Sequence, residues 1–544
     1  MKIPYNRLHA KGDVLFAARG GSIHSFSLLD GKHISTWQHP DATKVAAASD
    51  DARDVDESEP PAKRQKMGDG KDLKVPPAGD ADATPAAETP ATDGDAAQNE
   101  GDSGSKANDK KNKKKNKSDR ERQQLGRVPD RPVITELTST ADGRHVLAVS
   151  GHDKIIWVFE HDGQGGLKAI SQRTMPKRPS AVTVGPDSQI ISADKFGDVY
   201  ALPLIPKPPS PSSAARSPPT TSPAAVSQPA APAANTLTVH SKRNLEALQN
   251  QQRQLELRRE RGLAAAEQPK DAPGFELTLL LGHVSMLTAL ALGESGGRAY
   301  VLTGDRDEHV RVSRYAPQAH VIEGFCLGHR EFVAAMVVPA SRRDVLVSGG
   351  GDEELFVWDW KAGEQLSRAS VLSLAQKVAP QTTKVAVSGL TSLVYPSQEG
   401  PLTYILAICE GVPAIFTWQL TDDNALHHPS IIQLPANAMH LSVSLADEAR
   451  PRLVVAMDPA QTSAKSLHGY SLTTDNSRLI TDTETPFHDE EVEANEGDAS
   501  EDEVRRLLYT VEHLRKKSDG GEDEPTNGDA AAEAEAEMAQ VAEE

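Results

Sequence analysis

Two histidine–aspartate pairs stand out among the residues that could do chemistry. His283 precedes Asp307 by 24 positions (283 to 307), and His329 precedes Asp352 by 23 (329 to 352). An imidazole held by a carboxylate can act as a general base or bind a metal ion. Each histidine follows a glycine, however, and the two Gly-His dipeptides begin 46 residues apart (282 to 328). A pair that recurs at a fixed interval is typical of a structural repeat, so we interpret both histidines as structural.

The residues after each turn indicate a β-strand that packs through one face. Val310 and Val312 occupy alternate positions in the first copy, and Phe356 and Trp358 do so in the second, which puts each pair on one side of a strand. Trp358 also begins the Trp-Asp dipeptide that gives WD repeats their name. A Gly-His start, a turn acid and a Trp-Asp end are typical of β-propeller blades. The predicted structural blade motif is His283, Asp307, His329, Asp352 and Trp358.

Strand patterns of the same kind occur in three separated parts of the chain. They predict blade 1 in residues 1–40, blades 2 and 3 in 130–205, and blades 4 to 7 in 274–475. The expected fold class is all-β, a seven-bladed WD-repeat β-propeller with two long disordered inserts and an acidic C-terminal tail. Such rings often close by adding a strand from one terminus to the blade at the other, which removes an open sheet edge. Residues 3–8 are the expected closing strand.

Three segments lack the apolar clusters that a folded core requires. Residues 41–129 carry basic clusters in a background of Asp, Ala, Pro, Lys and Gly, and residues 206–273 are Pro/Ser-rich before a predicted helix. Residues 476–544 form the acidic tail, in which apolar residues recur at helical spacing over 502–517. From residue 481 onward there are 22 acidic and 5 basic side chains, so most of the net charge of −19 belongs to the tail. The acidity therefore says nothing about the folded surface.

Two basic clusters and two cysteines bear on the cellular compartment. Residues 60–66 and the stretch 106–131, which holds 11 basic and 4 acidic residues, resemble nuclear-import signals; a solvated charge run or a nonspecific phosphate contact is the alternative. Cys326 and Cys409 lie in apolar runs and form no Cys-x-x-Cys pair, which fits buried thiols in a reducing compartment. No run of 18 apolar residues predicts a membrane span. We therefore expect a nuclear protein that does not enter a membrane.

The chain lacks the motifs of the common catalytic and cofactor sites. No Gly-x-Gly-x-x-Gly follows a strand, and neither a phosphate-binding loop nor His-Glu-x-x-His occurs. The pattern favours a rigid binding platform without cofactor or metal over an enzyme. Two other classes stay open at this stage, a generic nuclear scaffold, for example in ribosome assembly, and a propeller enzyme with a site in its central channel. Co-purified assembly factors would identify the first, and turnover by the isolated chain would identify the second.

Four stretches resemble one family of WD-repeat proteins. They are residues 176–181, 192–200, 303–313 and 322–333. The most specific feature is the charged run that starts at Asp305, because a generic blade would carry Trp at the position of Ser313 and needs no such run for its own folding. These stretches resemble the non-catalytic WD-repeat subunit of the eukaryotic tRNA (guanine-N(7)-)-methyltransferase, and the resemblance covers the whole propeller.

The resemblance implies a mechanism that needs a partner. In this family a separate subunit binds S-adenosylmethionine and methylates one guanine of tRNA to 7-methylguanosine. The propeller subunit forms a heterodimer with it and favours its active conformation, while direct contact with tRNA is left open. The expected partner-binding residues, all in or beside charged turns, are Lys177, Arg178, Asp194, Lys195, Asp305, Arg306, Asp307, Glu308 and Arg311. For Asp307 and Arg311, pairing within the blade is an equal alternative.

Overall fold

The computed structural model describes residues 2–42, 131–206, 253, 275–398, 400–445, 451–459, 465–489 and 499–516. The basic clusters at 60–66 and 106–130, the helix predicted in the second insert apart from residue 253, and the tail beyond 516 lie outside the described residues. Within the described residues, 28 strands form seven four-stranded sheets. The predicted seven-bladed all-β propeller is thus confirmed.

The seven sheets follow the chain in order, and we number the blades accordingly. Blades 1 to 3 comprise β1 (Tyr5–Lys11), β2 (Val14–Arg19), β3 (Ser22–Ser27), β4 (His33–Gln38), β5 (Ile134–Ser139), β6 (His145–Ser150), β7 (Ile155–His161), β8 (Leu167–Thr174), β9 (Pro179–Val184), β10 (Gln189–Asp194), β11 (Asp198–Pro203) and β12 (Thr278–Gly282). Blades 4 and 5 comprise β13 (Leu287–Ser295), β14 (Arg298–Asp305), β15 (Val310–Arg314), β16 (Ile322–Cys326), β17 (Val333–Val337), β18 (Val345–Gly350), β19 (Glu354–Asp359) and β20 (Glu364–Ser370). Blades 6 and 7 comprise β21 (Val387–Tyr395), β22 (Leu402–Cys409), β23 (Ala414–Leu420), β24 (Leu426–Gln433), β25 (Asn437–Ser444), β26 (Arg452–Asp458), β27 (Leu467–Asp475) and β28 (Arg478–Thr485).

The burial of each strand follows its place in the blade. All six residues of β2 and of β18 are buried, because second strands are covered by the neighbouring blades on both faces. The fourth strands lie at the outer edge, and β20 shows only exposed and half-buried residues. The first strands of adjacent blades contact one another around the whole ring. The core is therefore a set of apolar layers between blades rather than one central cluster.

Blade 3 is assembled across the second insert. Its outer strand β12 pairs antiparallel with β11, and Val199 lies opposite Leu281. Gly282 therefore ends blade 3, whereas the sequence pattern placed it at the start of blade 4. The Gly-His start of each repeat thus lies at the end of the outer strand of the preceding blade or just after it, since β12 ends at Gly282 and β16 ends at Cys326, two positions before Gly328.

The ring closes without an exchanged strand, and the prediction for residues 3–8 is wrong. β1 pairs with β2 as the first strand of its own blade, and blade 7 takes all four strands from the C-terminal part, ending at Thr485 rather than at 475. At the seam the rings of Phe26 and Phe487 meet edge to face at 5.6 Å. A Cβ atom at Gly31, whose φ is +69°, would lie 1.9 Å from the carbonyl oxygen of Pro486. Within the described residues the termini also meet in one isolated parallel bridge between Lys32 and His488, where the His488 amide donates to the Gly31 carbonyl at 2.9 Å. Close packing and this single bridge therefore take the place of an exchanged strand.

Two short α-helices and one turn of 3-10 helix, Glu512–Leu514, complete the described part of the chain. Helix α1 (Leu372–Val378) joins blades 5 and 6, and helix α2 (Glu501–Leu508) follows the last blade. Ser500 caps α2, since its hydroxyl accepts a hydrogen bond from the Glu503 amide at 3.2 Å. Val504 of α2 packs against Ile3 beside blade 1. None of these helices has the length and apolarity needed to cross a membrane.

Candidate functional site

Blade 5 contains a closed chain of four buried polar side chains. Trp358 Nε1 donates to Ser348 Oγ at 2.8 Å, and Ser348 Oγ lies 2.7 Å from His329 Nε2. His329 Nδ1 lies 2.7 Å from Asp352 Oδ2. Because a carboxylate only accepts, Nδ1 carries the proton and Nε2 accepts from the serine. Every partner is used inside the blade, so these residues hold the fold together.

Blade 4 uses a different acid from the one predicted. His283 Nδ1 lies 3.7 Å from Asp305 Oδ2, while its Nε2 contacts Thr303 Oγ1 at 2.8 Å. Asp305 Oδ1 also accepts hydrogen bonds from the amides of Asp307 and His309, both at 2.9 Å. Asp305 is buried at the start of the turn and Asp307 is half-buried beyond it. The prediction that Asp307 holds His283 is therefore wrong.

A third polar chain joins blades 1 and 2 and was missed by the sequence reasoning. Trp157 Nε1 donates to Ser150 Oγ at 3.1 Å, Ser150 donates to Asp153, and His39 Nε2 lies 3.0 Å from Asp153 Oδ2. His39 plays the part of the Gly-His imidazole from 114 positions before its acid. The signal was present in the short run from Ser150 to Trp157, but the first insert separates it from the histidine.

His39 and Asp153 also belong to a group of described side chains that could hold a metal ion. Asp41 and His152 join His39 and Asp153, and one donor atom of each lies within 4.8 Å of the others. Two imidazoles and two carboxylates are a donor set that zinc accepts. Two of these four side chains, His39 and Asp153, are already hydrogen-bonded to each other. The contact between blades 1 and 2 is therefore sufficient to explain why these two lie close together.

The predicted interface turns share one face of the ring. This face carries the loops that join second to third strands and the loops that precede first strands. In blade 3 the Lys195 amide donates to the Arg178 carbonyl at 3.2 Å, which brings those two turns together. The turn between β14 and β15 holds Arg306 and Glu308 on the same face of the neighbouring blade.

The blade 3 turn contains two ionisable side chains, Asp194 and Lys195, whose pKa values differ from the ordinary ones. Asp194 is buried, and its Oδ1 accepts from the amides of Phe196 at 2.7 Å and Asp198 at 3.1 Å. Burial raises the pKa of Asp194 to about 6 despite these hydrogen bonds. Burial, together with the nearby charge of Arg178, lowers the pKa of Lys195 to about 8. Lys177 lies over the ring of Phe196, with Nζ 4.2 Å from the ring centroid.

Three of the nine predicted interface side chains are used in contacts within the propeller. Asp194 and Asp305 organise turns, as described above. Arg311 is buried in β15, where Nε donates to Ser313 Oγ and Nη1 donates to the Gly282 carbonyl, both at 2.9 Å. Burial also lowers the pKa of Arg311. The remaining six are half-buried and lie at the surface of the shared face, namely Lys177, Arg178, Lys195, Arg306, Asp307 and Glu308.

The blade 4 turn is in contact with the C-terminal part of the chain. Arg306 Nε donates to the Leu514 carbonyl at 2.8 Å. Lys516 Nζ lies 2.9 Å from Asp307 Oδ1 and 3.5 Å from Glu308 Oε1. Burial alone would raise the pKa of Asp307, yet the contact with Lys516 holds it below its ordinary value. The apolar spacing at 502–517 allowed docking on the propeller or on a partner, but it did not indicate which blade the segment meets, since the contact joins residues 208 positions apart.

Comparison with known proteins agrees with the resemblance of the charged turns. The family model described as the tRNA methyltransferase TRM82 WD40 domain matches residues 15–480. A relative from Sclerotinia sclerotiorum, named tRNA (guanine-N(7)-)-methyltransferase non-catalytic subunit trm82, is 34% identical over 568 residues, which cover 95% of this chain and 99% of the relative. A relative of the same name from Aspergillus fumigatus is 36% identical over 420 residues, covering 72% and 80% of the two chains.

Among solved structures, that of U3-55K aligns with 87% of this chain and 96% of its own, at a TM-score of 0.47 and 11% identity. The family match and the two relatives confirm the resemblance. The chain therefore belongs to the family of the tRNA methyltransferase TRM82 WD40 domain.

Proposed function

We propose that this chain is the non-catalytic subunit of a tRNA (guanine-N(7)-)-methyltransferase. It binds a separate catalytic subunit as a heterodimer and favours the active conformation of that subunit, so that 7-methylguanosine forms in tRNA. S-adenosylmethionine binds to the catalytic subunit. The names of the relatives support this role. Location of the complex in the nucleus, and direct contact of the propeller with tRNA, belong to the same proposal.

The observation that carries the proposal is the charged turn between β14 and β15. Its members Arg306, Asp307 and Glu308 are half-buried on the face shared with the blade 3 turns. In an ordinary blade the turn acid lies two positions before the third strand and is hydrogen-bonded to the histidine of the repeat, as Asp352 is to His329. In blade 4, Asp305 holds the backbone of this turn, but the side chains of Arg306, Asp307 and Glu308 lie outside the polar chain. A surface that a blade does not need for its own folding is a candidate for binding a partner.

Arg306 is the residue that we expect to meet an acidic surface of the catalytic subunit. A planar guanidinium can hold a carboxylate through two parallel hydrogen bonds. A pair at the exposed rim would contribute about 1 kcal/mol or less. Truncation of one member of a buried interfacial pair costs about 2–5 kcal/mol, because the other charge is left desolvated.

The test is Arg306→Ala in the full chain, with affinity for the catalytic subunit measured by calorimetry and tRNA methylation measured on the same complex. We expect a loss of about 2–5 kcal/mol in binding with an unchanged thermal melt. The matched control is Arg343→Ala, since Arg343 is an exposed arginine paired with Glu294 at 2.7 Å on the opposite face. Restoration of binding by a charge swap on the partner would support the pair. Unchanged affinity of folded Arg306→Ala would place the interface elsewhere.

A further inference from the structure

Residues 509–516, which we call the docked segment, cross the shared face from blade 7 to blade 4. The segment starts at blade 7, where Tyr509 Oη donates to Asp458 Oδ2 at 2.6 Å and accepts from Asn437 Nδ2 at 3.3 Å. It continues over blade 6, where Glu410 accepts from the amides of Val511 at 2.8 Å and Glu512 at 3.1 Å. The peptide backbone of the segment is thus held by a carboxylate from the propeller.

Arg515 anchors the docked segment between blades 5 and 6. Its Nη1 donates to the Gly351 carbonyl at 2.8 Å and its Nη2 to the Val385 carbonyl at 2.9 Å. Nη1 also lies 3.2 Å from Glu331, and Nε donates to Glu512 at 2.6 Å. The side chain is only 10% exposed. A guanidinium satisfied at so many points is a permanent contact of the fold rather than a surface encounter.

The last residues of the docked segment lie against the charged turn of blade 4. The Leu514 carbonyl accepts from Arg306 Nε, and Lys516 contacts both Asp307 and Glu308. Glu308 has a φ of +76°, a left-handed backbone that only a well-supported turn sustains. The segment therefore supports a turn whose side chains its own blade leaves outside the polar chain.

Charge and geometry both change at Arg306 when the segment is present. Without Lys516 the half-buried side chains of Arg306, Asp307 and Glu308 carry one positive and two negative charges, a balance that repels an acidic partner. Lys516 cancels this excess. The Leu514 carbonyl uses only Nε of Arg306, and among the described residues neither terminal nitrogen of that guanidinium has a hydrogen bond. The two terminal nitrogens stay available for a carboxylate in an end-on pair.

We infer that the docked segment is a working part of the partner-binding surface, which fixes Arg306 and neutralises its turn so that an acidic surface of the catalytic subunit can bind there. This inference rests on the proposed function. It assigns to a short C-terminal stretch a role in recognition that the blades alone do not fulfil. The fit is to a carboxylate-bearing protein surface, because the donors that remain form a planar fork and the neighbouring charges are balanced.

The test uses three forms of the full chain, namely wild type, Lys516→Glu and Arg505→Glu. Lys516→Glu removes the neutralising cation and adds a further negative charge beside the turn, so we expect at least a tenfold loss of affinity for the catalytic subunit, with an unchanged melt. Arg505→Glu is the matched control, because Arg505 is an exposed cation of the same C-terminal region that pairs with Glu501 inside α2. We expect Arg505→Glu to bind as wild type does, and Lys516→Arg to keep most of the affinity.

A second arm separates support from competition. A chain that ends at residue 508 loses the docked segment, and we expect weaker binding that a synthetic peptide of residues 509–516 restores. Tighter binding by the shortened chain would overturn the inference, because the segment would then compete with the partner. Equal binding by wild type, Lys516→Glu and the shortened chain would also overturn it while leaving the proposed function intact. Absence of binding by wild type itself would instead refute the proposed function.

Discussion

Blades 4 and 5 carry the same repeat and use it in opposite ways. In blade 5 the polar chain from Trp358 through His329 to Asp352 is closed and buried. In blade 4 the position of the tryptophan is taken by Ser313, which accepts a hydrogen bond from Arg311, and the histidine meets an acid two positions earlier. The repeat in blade 5 uses its polar side chains to stabilise its own blade. The other leaves its charged turn for the docked segment and, by our proposal, for a partner.

The largest difference should appear when the two equivalent side chains are removed. Trp358 is fully buried, so Trp358→Ala should lower the free energy of unfolding by about 3–5 kcal/mol through the cavity that it leaves. Ser313→Ala removes one acceptor from Arg311 and should cost about 1 kcal/mol. Chemical denaturation of both variants measures the two values. Similar costs would show that blade 4 is held together in the same way as blade 5.

Blade 3 supplies an intermediate case, because its turn acid is buried and titrates high. A carboxyl whose pKa is about 6 in the fold, against about 3.9 in an unfolded chain, binds its proton more tightly when folded. Its contribution to stability is greatest below about pH 4 and is lost as the pH rises through about 6. Asp194→Asn keeps the acceptor without the charge, so its stability relative to wild type should rise by up to about 3 kcal/mol over that range. Unfolding measured between pH 4 and 7 would show it, and a flat difference would mean that Asp194 titrates normally.

The smallest effects come from the two turn acids themselves. Asp352→Asn leaves a buried imidazole without its carboxylate and should cost about 1–3 kcal/mol. Asp307→Asn removes only a partly exposed pair with Lys516, which is worth about 1 kcal/mol or less. Because the pKa of Asp307 is lowered in the fold, this contribution is present above pH 4 and fades as the pH falls below that value. Thermal unfolding of both variants measures the two losses of stability. A larger loss for Asp307→Asn than for Asp352→Asn would show that blade 4 depends on its turn acid more than blade 5 does.

The fold was largely predictable because its signals are local. Alternation of apolar residues and the turn acids lie within ten or so positions of each other, as between Ser348 and Trp358. The signal failed where a partner lies far along the chain. His39 stands 114 positions before Asp153, and β12 completes blade 3 from beyond the second insert. No periodicity joins residues across such distances.

The site was less predictable because backbone atoms make many of its contacts. Carbonyl oxygens of Gly351, Val385 and Leu514 accept the arginines that hold the docked segment, and any residue type offers that oxygen. The apolar spacing at 502–517 predicted one helix, whereas α2 ends at Leu508 and Tyr509 leaves the helical conformation with ψ at 81°. Contact with the propeller overrides the local helical preference from that point on.

The seam between the termini also sets the order in which the ring can be made. Within each blade, strands pair with their neighbours in sequence, so blades can form one after another as the chain leaves the ribosome. The seam joins residues at opposite ends, as in the hydrogen bond from the Tyr5 amide to Ser466 Oγ at 2.9 Å across 461 positions. The contacts between blade 1 and blade 7 therefore cannot form until almost all of the chain has been synthesised. Until then the apolar face of blade 1 stays open to other molecules, and this interval is when the nascent protein most needs protection from aggregation.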